Sequence, residues 1–158
     1  MSTTQSYESV GDRPEWILRL LYAPSGGKTS APIVGTTRMM KACFLLHKRL
    51  HSEHGISTDF EFIAGDYGPL DEKVYTTLEG LERNGLIEEV ESEQYQGTEY
   101  RLTLEGQERA EVLYQQLSDG ERNLISWLKG KHVMKPLSQL LSFVYNRYPK
   151  YTENSKLV

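Results

Sequence analysis

Two stretches of this 158-residue chain hold residue types and spacings that could do chemistry. Gly27-Lys28-Thr29 matches the tail of a phosphate-cradling loop, in which backbone N–H groups and a lysine neutralise a nucleotide. That pattern also needs glycine at position 22, which is Tyr22, and it needs a strand before and a helix after. Here a helical stretch precedes and Ser30-Ala31-Pro32-Ile33 follows, so the spacing predicts a plain loop. Cys43, His47, His51 and His54 climb a second helical stretch, and thiolate with imidazole is zinc chemistry. Cys43, however, falls in an apolar stripe, where a lone cysteine packs as a small hydrophobe. His54 precedes Gly55 and falls past the expected helix end, where a cation suits the last carbonyls. Metal sites draw ligands from more than one element, so neither a metal nor another cofactor is expected. No nucleophile elbow and no His-Glu metal motif occurs, which predicts a non-enzymatic protein.

Charge is the second chemical signal. From Asp71 to Arg101 there are three cations against nine acids, a local −6. Residues 1–50 carry a local +4, and Lys129, Lys131, His132 and Lys135 form another basic group. DNA affinity comes largely from neutralising phosphates, so a helix and hairpin as acidic as 71–101 would be repelled by it. A polarised surface of this kind suits a protein partner on the acidic face, with Glu72, Glu79, Glu82 and Tyr95 as candidate contacts. If nucleic acid is bound, the candidates are Lys28, Arg38, Lys41, Lys73 and Arg83.

The elements that must position these residues are legible from periodicity. Asp12-Arg13-Pro14-Glu15 is a capping box, and Trp16, Ile17, Leu20 and Leu21 give the helix after it a buried face. A second helix is predicted from Thr36 or Thr37, either as N-cap, to about His51. Met39, Ala42, Cys43, Leu46 and Leu50 form its inward stripe, with Arg38, Lys41, Lys48 and Arg49 opposite. Residues 57–63 alternate polar and apolar and predict a strand, the third member of a small sheet. Tyr67-Gly68-Pro69 then turns into a helix with the stripe Leu70, Val74, Leu78, Leu81, stopped by Asn84-Gly85. A hairpin over 86–103 and a helix with Ala110, Val112, Leu113 and Leu117 follow. This is the winged helix-turn-helix plan within a mostly helical α+β chain. Ser118 to Glu121 is a fresh capping box for a helix with Leu124, Ile125, Trp127 and Leu128. Pro136 opens a last one with Leu137, Leu140, Leu141, Val144 and Tyr145. The division expected is a disordered arm (1–11), a winged-helix domain (12–117), a helical extension (118–148) and a polar tail (149–158). Trp127 is out of line with Leu124 and Leu128, which predicts a two-fold homodimer through Trp127, Leu124 and Leu141. The lone cysteine, the lack of any apolar run near the ~20 residues of a membrane span, and the polar first residues predict a cytoplasmic protein.

Residues 37–46 (TRMMKACFLL), with Asp66-Tyr67-Gly68-Pro69-Leu70 and Val74-Tyr75, resemble the Panacea-domain proteins (SocA-like antitoxins) and the related YwgA-like winged-helix proteins. The likeness covers about residues 13–117, and its most specific element is the Tyr-Gly-Pro turn. It implies a regulatory protein acting by macromolecular binding, of the antitoxin or adaptor kind. The alternative is a DNA-binding transcriptional regulator, the usual work of free-standing winged helices.

Overall fold

The computed structural model describes residues 12–92 and 96–155. The expected arm at 1–11 and Tyr95 lie outside the described residues. Helix α1 (Arg13–Tyr22) runs through the middle of the core, with every residue from Trp16 to Leu21 buried. Its capping box is present as predicted: Asp12 accepts from the Glu15 N–H and Glu15 accepts from the Asp12 N–H. Strand β1 (Ile33–Val34) leads into α2 (Thr36–His54), which buries every residue from Met39 to Leu46. Each large apolar side chain so buried contributes about 1.5–3 kcal/mol. Gly35, not a threonine, is the N-cap of α2, and His54 is its last residue rather than lying beyond it. Strands β2 (Ile63–Gly65) and β3 (Gly68–Leu70) pair antiparallel, Gly65 opposite Gly68. Helix α3 (Lys73–Arg83) and the hairpin β4 (Ile87–Glu91) and β5 (Thr98–Leu102) follow.

Two corrections concern this segment. The third strand of the β4–β5 sheet is β1, which pairs Ile33 with Tyr100; residues 57–63 do not join it. The helix after the Tyr-Gly-Pro turn begins at Lys73, and Leu70 lies on β3 rather than on the helical stripe. The reason is Asp71, which is buried and accepts from Arg13 Nε (2.8 Å), the Glu61 N–H (3.0 Å) and the Lys73 N–H (3.1 Å). It ties the turn ahead of the helix to α1 and to residue 61, and the residues before it run extended. Asp71 therefore does not belong to the solvent-facing acidic face.

Helix α4 (Leu104–Gln115) starts against the hairpin, where a Cβ on Gly106 would lie 1.8 Å from the Leu86 carbonyl oxygen. Only glycine fits that approach. Ala110 and Leu113 are buried as expected, but Val112 is 59% exposed, outside the inward stripe. Helix α5 (Asp119–Leu128) has its predicted capping box, and packs on α2. It does not stop at Lys129 but widens into a π-helical turn (Lys129–Val133), after which α6 (Leu137–Arg147) begins. The expected polar tail is instead packed. Pro149–Thr152 forms a 3₁₀ turn that sets Tyr151 against Phe44, with ring centroids 4.8 Å apart. Asn154 donates to the Ala64 carbonyl. Among the described residues no helix is long and apolar enough to cross a membrane.

Candidate partner-binding cleft

The hairpin β2–β3 stands beside α3, and the N-terminal half of α2 forms the floor between them. The result is a cleft of about 610 Å³ lined by Thr37, Lys41, Tyr67, Pro69, Glu72 and Tyr75, among others. Gly68 makes the geometry possible. It sits at φ +93°, and a Cβ there would meet Tyr145 Cε1 at 2.9 Å and Lys41 Cε at 3.5 Å. The turn thus lies directly on the Lys41 stem, with the Tyr145 ring behind it. Tyr145 is held in turn by a 2.8 Å hydrogen bond with Ser155, so the C-terminal segment braces the cleft.

Lys41 was expected on the outer face of α2 with Arg38. It is instead buried, and its Nζ donates to the Pro69 carbonyl at 3.2 Å. Burial pushes its pKa down to about 8. The physical cause is that α2 is covered on every side over this stretch, so no outer face exists there. Lys41 is the one cation in the run Met39 to Leu46, and that interruption is the signal in the sequence that could have pointed to it.

The other proposed nucleic-acid contacts are scattered. Arg38 donates through one guanidinium nitrogen to the Val133 carbonyl (2.7 Å) and to the Lys135 carbonyl, closing an apolar hollow of about 330 Å³ beside Met134 and Leu137. Lys28 is exposed on the loop after α1, and Lys73 lies 3.9 Å from Glu61. Part of the local +4 of residues 1–50 is likewise spent inside. Arg19 is fully buried, donating to the Leu113 carbonyl and to Gln116, and Arg13 is paired with Asp71. Lys129 also leaves its basic group. It is fully buried, with Nζ 2.9 Å from both the Leu21 and the Ala23 carbonyl.

The acidic contacts fare differently. Glu72, Glu79 and Glu82 are exposed and recur at helical spacing on the outward side of α3, with Tyr75 between them. Tyr67 (56% exposed) and Tyr75 (42%) add an apolar element at the cleft mouth that charge counting does not reveal.

The histidine ladder does not converge. Cys43 is fully buried and its thiol pKa is pushed up by burial; His47 is bonded to the Thr58 hydroxyl at 2.6 Å; His51 and His54 are exposed. Among the described residues, no three His, Cys, Asp or Glu side chains cluster to hold a metal. At the expected dimer face Trp127 is 46% exposed with the Arg49 guanidinium over its ring. Leu124 is buried against the core, and Leu141 is half-buried.

Comparisons of the chain with protein-family models, with curated proteins and with solved structures find no match.

Proposed function

We propose that the chain is a non-enzymatic winged-helix regulatory protein that works by binding another protein, in the manner of an antitoxin or adaptor. Support for the winged-helix reading comes from chain order: α1, β1, α2, the β2–β3 pair, α3, then the hairpin, with β1 alongside β5 in the sheet order β1-β5-β4. The observation that carries the binding reading is the cleft itself, with two exposed tyrosines at its mouth and the acidic stripe of α3 beside it. The resemblance to the Panacea-domain and YwgA-like proteins, centred on the same Tyr-Gly-Pro turn, points the same way. The test is capture from native extract by the full chain and by a Tyr67→Ala/Tyr75→Ala variant, with nucleic acid sequenced alongside the proteins. A protein held by the wild type and lost by a variant of unchanged Tm supports the reading. Equal capture by both sinks it.

A DNA-binding regulator is the second reading, and one observation favours nucleic acid on a different face. Lys131, His132 and Lys135 surround Phe143, His132 stacks on Phe143 at 3.9 Å, and Trp127 meets the edge of His132 at 5.3 Å. Cations interleaved with aromatics suit a phosphate-bearing strand. Salt-sensitive DNA binding lost in Lys131→Glu/Lys135→Glu, but kept in Lys73→Ala/Arg83→Ala, would favour this reading over the first. The same exposed Trp127 supports a homodimer: light scattering at micromolar concentration should give twice the chain mass, and Trp127→Glu should give a folded monomer.

A further inference from the structure

Lys41 is the feature of the cleft that protein recognition in general does not require. Its side chain is only 3% exposed, yet it lines an open cleft rather than a sealed core. An ammonium has three N–H donors, and the one partner of Lys41 Nζ is the Pro69 carbonyl. Burial is the whole cause of its lowered pKa; no carboxylate offsets it. A buried cation without a counter-charge costs several kcal/mol after relaxation, and an anion brought to it recovers much of that. The rim has the opposite sign at Glu72, which is exposed at the mouth. A small free anion would be repelled at the rim before reaching the floor. An acidic side chain carried on a polypeptide passes it, provided the neighbouring residues are basic and meet the rim.

Resting on the protein-binding reading above, we propose that the cleft receives an aspartate or glutamate side chain of the partner. That carboxylate pairs with Lys41 at the floor, while a flanking lysine or arginine meets Glu72 and the tyrosines cover the stem. The Tyr-Gly-Pro turn is then the device that builds the site. Gly68 lets the backbone lie on the lysine stem, and Pro69 presents the carbonyl that orients Nζ.

The experiment uses the full chain with ¹³C-labelled lysine and two pools of end-capped heptapeptides. Both pools carry Lys, Arg, Ala or Ser at the flanks, and the central residue is Glu in one and Gln in the other. The Glu pool should shift the Lys41 signal saturably and raise its pKa from about 8 toward the ordinary lysine value, and the Gln pool should not. Lys41→Met, which keeps the stem, should bring affinity for the Glu pool down to that for the Gln pool, a loss of about tenfold or more. Should that variant fold poorly, the wild-type Lys41 titration decides alone. Equal binding of the two pools overturns the inference and leaves the protein-binding reading standing. Binding of neither pool overturns the inference, and the separate capture by Tyr67 and Tyr75 variants then judges the broader reading. A response only to peptides with free C-terminal carboxylates, added as a third arm, overturns the side chain as the source.

Discussion

Two lysines are buried among the described residues, Lys41 and Lys129, and their surroundings differ in kind. Lys129 sits at the end of α5 and donates to the Leu21 and Ala23 carbonyls, at the C-terminal end of α1. The last carbonyls of a helix lack intrahelical partners and carry the negative end of its dipole, so a cation there supplies what the helix lacks. Burial pushes its pKa down to about 7, and the region around it is closed. Lys41 makes one hydrogen bond, to Pro69, beneath an open cleft. The first lysine completes the fold; the second is left with donors to spare at a surface. The contrast shows that burial of a charge is not by itself a functional sign. What matters is whether the fold has already used its donors.

The strongest way to break this contrast is to delete Lys129. Lys129→Ala orphans two carbonyls and opens a cavity, and should cost about 3–5 kcal/mol. In a chain of this size that lowers Tm on the order of 10 °C. A Tm within a degree or two of wild type would mean the two lysines are alike.

Proton linkage gives a smaller effect. Both lysines have folded-state pKa values below the unfolded value near 10.4. Well below pH 7 both lysines are protonated in both states and the burial penalty is complete. As pH rises above 7 the folded chain releases protons that the unfolded chain keeps, so stability rises. From pH 7 to 8.5 the gain should be on the order of 1 kcal/mol, mostly from Lys129 and largely absent in Lys129→Met. Above that window the unfolded Cys43 thiol ionises while burial keeps the folded one protonated, which opposes the trend. Denaturant melts at the two pH values measure this, and a flat or falling midpoint contradicts it.

The smallest effect sharpens the contrast most. Lys41→Met removes a desolvated charge and leaves one carbonyl unpaired, so its stability should stay within about 1 kcal/mol of wild type. A loss as large as that of Lys129→Ala would make Lys41 a structural lysine and remove the reason to read the cleft as a site.

Much of the fold was legible because its signals are local. Two capping boxes, the Asn84-Gly85 stop and the apolar stripes of α2 and α5 appear where periodicity placed them. The misplacements share a cause. Residues 57–63 alternate like a strand, yet Phe60 and Phe62 pack beside His47, and it is Ile33–Val34 that lies on β5. Tyr151 sits in the stretch that reads as polar tail and Tyr148 at the end of the expected extension, yet both rings close on Phe44. Strand pairing and tail docking depend on residues far apart in the chain, about which a local pattern says nothing. For the candidate site, the Tyr-Gly-Pro turn and the acids at 72, 79 and 82 could be read in advance, and Lys41 stands out as the one cation in its apolar run, whereas its contact with the Pro69 carbonyl could not be read.

The sequence by itself determined where most helices run and that 71–101 is acidic, because helix caps, periodicity and charge are properties of neighbouring residues. Only the tertiary structure decided which charges reach water. Arg13, Arg19, Lys41, Asp71 and Lys129 all count equally in a tally, yet each is drawn inward by a partner distant in the chain or by a covering element. A side chain's charge is written in its type; its solvation depends on what the rest of the chain packs against it.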